Sequence, residues 1–321
     1  IWTLSQPYGA SEWWPCQNNL ADKADSVEIL ITTNLGQAVA TNGVLLNIDT
    51  IGSFHQFHYK SKYPIASYLV AIAVTNYDIS REKYALGTDS LAIEHFLYPT
   101  QTLTESNNAL LPFLQMFDSL FGTYPFIDEK YGHASFTFGG GMEHQTMSFM
   151  GNYGGELVAH ELAHQWFGNK ITCGSWTELW LNEGFASYIT ALTYDFNVVH
   201  DSIYFQNILS IWKSDLFQYP NESVYREDTT DIRGLFGPNT YLKGAYLLHM
   251  LRWKTGDDAF FSGLKNYAED TTYAYGFVDT DDLKGHLERS SGMNLTEFFK
   301  DWYYGKGFPD YTTLWTKEVD E

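Results

Sequence analysis

Residues 160 to 164 read His-Glu-Leu-Ala-His, a spacing that restricts what this part of the chain can form. Positions i and i+4 share one face of an α-helix, so a helix here lets His160 and His164 reach one metal ion from the same side. Glu161 then lies beside the first histidine, within reach of a water at the metal. The flanking residues favour a helix from Glu156 to Trp166 that stops at Gly168.

Glu183 is the candidate third donor. It follows His164 by nineteen residues, in a stretch from Trp180 to Tyr188 that is predicted to form a second helix. Two imidazoles and one carboxylate are typical of a catalytic zinc ion with an open fourth position, whereas structural zinc usually takes four Cys or His ligands. The sequence therefore predicts one zinc per chain and hydrolysis by a zinc-activated water, with Glu161 as the general base.

Composition narrows the remaining functions. The 321 residues include 39 acidic and 19 basic side chains, a formal net charge of −20, which argues against nucleic acid and anionic membranes as partners. The longest apolar run, from Ser67 to Val74, is too short to span a bilayer, so no transmembrane segment is expected. The two cysteines, Cys16 and Cys173, are predicted to be free thiols. Few lysines and many Asn, Thr and Tyr residues favour an extracytoplasmic, secreted bacterial enzyme; the oligomeric state stays open.

The pattern of apolar residues predicts an α+β fold. Strands are predicted at Val27–Thr33, Phe54–Tyr59, Tyr68–Val74, Leu91–Leu97 and, as an edge strand, 131–138. The Asn42-Gly43 pair predicts a hairpin turn. From Glu156 onward the chain is expected to be mostly helical, and a domain boundary is expected near residue 86.

Two motifs closely resemble those of the M1 family of gluzincin aminopeptidases. They are His160-Glu-Leu-Ala-His-Gln-Trp-Phe-Gly-Asn169 and Leu181-Asn-Glu-Gly-Phe185, separated by the family's gap of 18 residues between the second histidine and the glutamate. The resemblance implies a metallo-aminopeptidase that hydrolyses the first peptide bond of peptides with a free N-terminus. It also implies that residues 1–86 are the C-terminal part of a β-sandwich, or saddle, domain, and that 87–321 form a thermolysin-like catalytic domain with a mostly helical second half.

A third motif, Gly140-Gly-Met-Glu-His144, resembles the family's Gly-(Ala/Gly)-Met-Glu-Asn loop. By resemblance, Glu143 pairs with the α-ammonium group of the substrate. The backbone around Gly140 and Gly141 would hydrogen-bond the peptide, and Met142, with Phe138, would line the pocket for its first side chain. His144 stands where the family usually has Asn.

Further site residues follow from the same resemblance. Tyr241-Leu-Lys-Gly-Ala245 resembles the segment whose tyrosine donates a hydrogen bond to the oxyanion. Trp13-Trp-Pro-Cys16 resembles the end of the N-terminal domain, and the position ten residues before this cysteine, Gln6, would help to hold the substrate amine. Independently of the resemblance, Glu178, five residues before Glu183, is a candidate hydrogen-bond partner of a zinc-binding histidine; a solvent-exposed glutamate is the alternative.

Two other functions stay open at this point. One is a leukotriene A4 hydrolase-like epoxide hydrolase and aminopeptidase, because that branch also has Gly-Gly-Met-Glu before its zinc motif. The other is an inactive binding protein on the same fold. The resemblance covers nearly the whole chain, while most of the family's N-terminal domain and its C-terminal helical domain are missing, so a trimmed catalytic core is expected.

Overall fold

The structure, a computed structural model, describes residues 1–102, 110–196, 198–199, 201–309 and 312–315. The strands are β1 Val27–Asn34, β2 Ala38–Thr41, β3 Val44–Ile51, β4 Phe54–Ser61, β5 Ile72–Thr75, β6 Asp78–Leu86, β7 Asp89–Leu97, β8 Tyr131–Ser135, β9 Gly141–Met142, β10 Ser148–Met150, β11 Thr172–Cys173 and β12 Phe277–Val278. The α-helices are α1 Leu110–Phe121, α2 Gly155–Ala163, α3 Trp180–Asp195, α4 Ser202–Leu216, α5 Ile232–Leu235, α6 Gly244–Thr255, α7 Asp257–Glu269, α8 Thr280–Ser291 and α9 Thr296–Phe299.

The first part of the chain consists mainly of strands, as the alternating sequence pattern predicts. Strands β1, β4 and β3 form one antiparallel sheet, with β4 in the centre. The strands predicted at Val27–Thr33, Phe54–Tyr59 and Leu91–Leu97 are confirmed as β1, β4 and β7, each with slightly wider bounds. The strand predicted at Tyr68–Val74 begins later, at Ile72, because the chain first forms a short 3₁₀ turn at Ser67–Leu69.

The hairpin predicted at Asn42-Gly43 is wrong. Strand β2 pairs with β5 and strand β3 with β4, so this turn leads from one sheet to another. The Asn42 side chain stabilises the crossing: it donates to the Leu69 carbonyl at 2.9 Å and the Gln145 carbonyl at 2.7 Å, and it accepts from the Ala71 amide at 2.8 Å. Gly43 does have the positive φ of a turn, +69°. The backbone packed against it is that of Lys60 and Ser61 on β4.

A five-stranded mixed sheet in the order β6-β7-β8-β10-β9 lies beside the helical part of the chain. The prediction of residues 131–138 as an edge strand is wrong, because β8 lies between β7 and β10 and is parallel to both. The edge next to the cleft described below is β9, only two residues long. The boundary predicted near residue 86 falls in the turn between β6 and β7, which pair with each other; the division into domains stays a prediction.

Helices α2 and α3 correspond to the two helices that the metal motif predicts. Close packing positions α3: a Cβ atom added at Gly184 would lie 3.0 Å from the Cα of Gly244, and one added at Gly244 would lie 3.2 Å from the Cα of Gly184. Helices α3 and α6 thus approach at backbone distance. Glu183 on α3 and the residues just before α6 are therefore held on the same side of the crossing.

An aromatic cluster anchors the residues that follow α2. The Trp166 ring is fully buried and makes edge contacts with Phe117 on α1 and with Tyr124, at centroid distances of 5.9 and 5.5 Å. Its indole N–H donates to the Gly122 carbonyl at 2.9 Å. Large, rigid rings with satisfied polar atoms fix the position of a helix end well. Among the described helices, none is long and apolar enough to cross a membrane.

Replacing Gly184 tests the close crossing of α3 and α6. We expect Gly184→Ala to lower the free energy of unfolding by about 1–3 kcal/mol, because the new methyl group overpacks the contact with Gly244. Gly155→Ala is the matched control. Gly155 is the first residue of α2, and a Cβ atom there meets nothing within 4 Å. This variant should be at least as stable as the unaltered protein, because alanine favours a helix over glycine by up to ~1 kcal/mol. Urea denaturation of both variants measures the difference, and equal stabilities would contradict the crossing.

Candidate metal centre

Helices α2 and α3 bring three metal-binding side chains together. The Nε2 atoms of His160 and His164 lie 3.1 Å apart, and each lies 3.3 Å from Oε2 of Glu183. His160 lies in the last turn of α2, His164 directly follows that helix, and the glutamate comes from the first turn of α3. His164 and Glu183 are almost completely buried, while the His160 side chain keeps 18% of its exposure.

This triangle of donor atoms fits a tetrahedral zinc ion. Zinc binds histidine nitrogen and carboxylate oxygen at about 2.0–2.2 Å, so two ligands on one tetrahedron lie about 3.3–3.6 Å apart. The observed separations of 3.1 to 3.3 Å are close to that range. Three N and O donors would leave the fourth position of such an ion open, as in catalytic zinc sites.

The surroundings of His164 orient its ring for this role. The ring nitrogen Nδ1 lies 3.2 Å from the Phe167 carbonyl, which can only accept, so Nδ1 carries a hydrogen and Nε2 faces the other donors. A Cβ atom at Gly168 would lie 3.1 Å from Nδ1. Burial acts to lower the pKa of His164, but the nearby carboxylates, Glu143 first among them, outweigh it and raise that pKa to about 10. The cluster therefore has the electrostatics of a cation site.

Glu161 lies next to the triangle and is 3% exposed. Its Oε2 has no hydrogen-bond partner among the described residues. Burial raises the pKa of this carboxyl well above its usual range, and His164 opposes that effect. The carboxylate packs against the backbone of Gly141: a Cβ atom there would lie 2.2 Å from its Oε1. The glycine is therefore required by the position of Glu161.

Gln6 and Glu143 meet beside His164. The Gln6 side chain donates to Oε1 of Glu143 at 3.1 Å, across 137 residues of sequence. The ligand atoms of Glu143, Glu161 and His164 all lie within 4.8 Å of one another. Burial raises the pKa of Glu143 to about 7. The Tyr68 hydroxyl hydrogen-bonds to the same carboxylate, so two polar groups fix its orientation.

The backbone of Glu143 is held by residues that the sequence did not single out. Its carbonyl accepts from the Asn169 side chain at 2.7 Å and from the Gln165 side chain at 3.4 Å. The Lys23 ammonium group donates in turn to the Asn169 carbonyl at 2.9 Å. Both amide residues belong to the His160–Asn169 motif, but a hydrogen bond to a backbone carbonyl leaves no spacing pattern that could reveal it in advance.

Tyr241 closes the site from the opposite side. It lies in a π-helical segment, Asn239–Lys243, directly before α6. Its ring stacks over that of His160 with a centroid distance of 6.3 Å and an angle of 21°, and its hydroxyl hydrogen-bonds to the Glu183 carboxylate. Burial raises the pKa of this phenol well above its usual range, so it stays protonated and can donate.

Two predicted site residues lie elsewhere. Met142 is 2% exposed and belongs to the apolar core, so the prediction that it lines a substrate pocket is not supported by its position. Side chains alternate along a strand, and Met142 therefore points away from the face shared by Gly141 and Glu143.

Glu178 accepts a hydrogen bond from the Thr280 hydroxyl, and no hydrogen bond links it to either histidine in the part of the chain that the structure describes. The group that hydrogen-bonds to Nδ1 of His164 is the Phe167 carbonyl instead.

His144 lies directly behind Glu143 and is fully buried. Its ring makes an edge contact with Phe149 at 4.4 Å, and neither ring nitrogen has a hydrogen-bond partner among the described residues. Burial lowers the pKa of His144 to about 3, so the ring is neutral and acts here as packing.

A cleft of about 530 Å³ contains the three donors together with Gln6, Glu143, Glu161 and Tyr241. Phe138, Gly140 and Gly141 line it from the side of the five-stranded sheet. The cleft continues between helices α2, α3 and α4. Residues that line this continuation, among them Glu156, Tyr204, Ile208 and Trp212, carry no motif in the sequence.

Comparisons with known proteins identify the family of this chain. The sequence model of the peptidase family M1 domain matches residues 134–302. Aminopeptidase N of Lactococcus lactis subsp. lactis is 36% identical over 162 residues, which are 48% of this chain and 19% of the relative. Aminopeptidase N of Oryctolagus cuniculus is 37% identical over 179 residues, which are 51% of this chain and 18% of the relative. The chain thus spans less than a quarter of the length of these relatives.

Solved structures are similar over most of the chain. The M1 zinc metallopeptidase from Deinococcus radiodurans superposes with a TM-score of 0.85 at 25% identity, over 96% of this chain and 70% of that one. A mutant of that enzyme bound to a Tyr-Ser-Ala substrate superposes with a TM-score of 0.83 at 24% identity, with the same coverage. The mixed sheet and helix fold predicted from the sequence is thus confirmed.

Zinc binding tests the donor triangle. We expect the chelator-stripped protein to take up about one zinc per chain and to melt at a higher temperature when it does. Glu183→Gln should weaken zinc binding by more than the roughly 10- to 100-fold that the loss of an outer-shell partner costs. Glu178→Gln is the matched control and should bind zinc like the unaltered protein. Metal analysis and calorimetric titration measure both; no zinc uptake, or equal losses in the two variants, would contradict the assignment.

Proposed function

The chain belongs to peptidase family M1, and we propose that it is a zinc-dependent aminopeptidase that removes the first residue of peptides with a free amino terminus. The observation that carries this proposal is the buried Gln6–Glu143 pair beside the donor triangle. A metal-activated hydrolase needs only the triangle and a base. A further carboxylate, Glu143, is fixed beside the triangle and can therefore recognise a positively charged group of the substrate close to the cleaved bond.

His160, His164 and Glu183 would hold the zinc ion. When bound, zinc supplies Lewis-acid chemistry: it polarises the carbonyl of the substrate and acidifies a water. The position of Glu183 at the start of α3 matters for this arrangement, because the Gly184–Gly244 crossing fixes that turn of the helix. The Tyr241 hydroxyl and the His164 ring then surround the carboxylate from two sides.

Glu161 is the proposed general base. Its Oε2 is buried, lacks a partner among the described residues and is therefore free to accept a proton from the attacking water. The same oxygen then passes the proton to the leaving amine. Gly141 keeps the carboxylate in place by leaving room for it.

Glu143 and Gln6 are proposed to bind the substrate amine. Burial deprives the Glu143 carboxylate of water, and an ammonium group would compensate for that loss. A charge-assisted hydrogen bond between the two groups is stronger than a neutral one. The Gln6 carbonyl oxygen can accept a further N–H of the amine while its amide group holds Glu143. A blocked amine cannot form these bonds and leaves the carboxylate without a partner, which disfavours it.

Tyr241 is proposed to stabilise the oxyanion. Its hydroxyl faces the donor triangle and remains a proton donor at neutral pH, so it can hydrogen-bond to an oxygen on which negative charge develops.

We also propose the finer domain arrangement: residues 1–86 as the end of a saddle-like β domain and 87–321 as a thermolysin-like catalytic domain. The fold similarity to M1 zinc metallopeptidases supports it.

Glu161→Gln tests the base. We expect zinc binding to be kept and kcat to fall by about 10²–10⁴, the usual contribution of general acid–base catalysis. An aminoacyl anilide is a suitable substrate, with metal analysis of the same sample.

Gly141→Ala should also lower kcat, because its methyl group displaces Glu161. Gly139→Ala is the control, since a Cβ atom at that position meets nothing within 4 Å. Complete lack of chelator-sensitive hydrolysis by the unaltered protein would favour the inactive binding protein instead.

Glu143→Gln tests the recognition of the amine. We expect kcat/KM for peptides with a free N-terminus to fall by about 10- to 100-fold, since hydrogen bonds to charged groups contribute about 1.5–3 kcal/mol. N-acetylated peptides should be poor substrates of both proteins. If the unaltered protein cleaved them as well as free peptides, the enzyme would be an endopeptidase and the proposal would fail.

A further inference from the structure

The cleft extends beyond the groups that the proposed reaction uses. This extension, the helical arm, is formed by Glu156 and Leu157 at the start of α2, Ala191 on α3, and Tyr204, Ile208 and Trp212 on α4. Its walls are mostly apolar, and Glu156 is its one carboxylate among the described lining residues. No lysine or arginine lines any described part of the cleft.

The helical arm and Glu143 lie at opposite ends of the cleft. Glu143 is next to His164, at the C-terminal end of α2, whereas Glu156 lies eight residues earlier in the sequence, in the first turn of the same helix. An α-helix rises 1.5 Å per residue, so the two ends are about 12 Å apart. An extended peptide covers ~12 Å with three to four residues. A substrate whose amine is held at Glu143 therefore reaches the helical arm with the part that lies beyond the cleaved bond.

The Glu156 carboxylate is held in the helical arm by two phenols. The Tyr194 hydroxyl donates to its Oε1 at 3.0 Å, and the Tyr204 hydroxyl hydrogen-bonds to the same carboxylate. The two rings pack together with a centroid distance of 4.7 Å. Among the described residues, no basic side chain forms an ion pair with Glu156. A fixed carboxylate without a cationic partner thus faces the cleft.

We propose that Glu156 is a specificity-determining residue that selects peptides with lysine or arginine as the second or third residue. This inference rests on the proposed aminopeptidase function, because that function fixes which end of the peptide lies at Glu143. The apolar walls of the helical arm suit the same side chains: Leu157, Ile208 and Trp212 can cover the aliphatic stem of a lysine or arginine while its charged end reaches Glu156.

The expected selectivity is modest, because the Glu156 side chain is exposed to solvent. Ion pairs at exposed sites contribute little, which corresponds to a preference of about two- to fivefold in kcat/KM. The preference should decrease as ionic strength rises, because salt screens exposed charges. A preference caused only by apolar contacts with the stem would not depend on salt.

Two pairs of tetrapeptides test the proposal: Leu-Lys-Ala-Ala with Leu-Gln-Ala-Ala, and Leu-Ala-Lys-Ala with Leu-Ala-Gln-Ala. The measured quantity is the ratio of kcat/KM for the lysine peptide to that for the glutamine peptide in one enzyme sample, so that general effects of a substitution cancel. We expect a ratio of about two to five in at least one pair for the unaltered protein, and a ratio near one for Glu156→Gln. Glu156→Lys should instead favour acidic peptides: with glutamate in place of lysine in the same peptides, the ratio of kcat/KM for the glutamate peptide to that for the glutamine peptide should rise above one.

Glu82→Gln is the matched control, since this exposed glutamate lies on β6 and does not line the cleft; its ratios should equal those of the unaltered protein. Ratios of one in both pairs for the unaltered protein, or a preference that persists in Glu156→Gln, would overturn the proposal. Hydrolysis of a leucine anilide, which has no second residue, separates the two levels. If the anilide is cleaved and the ratios are one, only the role of Glu156 fails; if neither anilide nor peptides are cleaved, the proposed function itself fails.

Discussion

Three atoms with lone pairs meet inside this protein, and they repel one another unless positive charge lies among them. The Nε2 atoms of His160 and His164 and Oε2 of Glu183 are 3.1 to 3.3 Å apart, and burial prevents water from separating them. A proton or a metal ion must balance that charge. Glu143, followed by Glu183 and Glu161, accordingly raises the pKa of His164. The surrounding packing holds the donors in place: the Trp166 cluster anchors the residues after α2, and the Gly184–Gly244 crossing fixes the start of α3.

The metal site could be predicted from the sequence because much of its geometry is local. The spacing of His160 and His164 on one helix brings both rings to one side, whatever the rest of the chain does. Glu183 lies on a different helix, and its assignment depended on a family spacing rather than on helix geometry. Glu161 follows from its place beside His160, but its fit against Gly141 could not be foreseen, because it depends on how closely a sheet edge approaches α2.

The errors came from contacts between residues distant in sequence. Asn42 and Gly43 form a turn, as their residue types predict, but the strands on either side of it pair with others further along the chain. Strand β8 was expected at an edge, although the structure buries all five of its residues, as is typical of a strand with parallel neighbours on both sides. Met142 shows a different cause: the resemblance assigned it to a pocket, whereas alternation along the strand β9 turns it into the core.

The contact between Gln6 and Glu143 joins parts of the chain that are 137 residues apart, whereas 23 residues separate His160 from Glu183. Contacts between distant residues cost more chain entropy to close and therefore tend to form later in folding. The donor triangle and the proposed amine-binding pair thus depend on different stages of assembly. In the proposed function, a chain whose first residues are no longer docked would keep its metal donors and Glu161 but lose the contact of Gln6 with Glu143. The docking of this segment would then protect against indiscriminate cleavage.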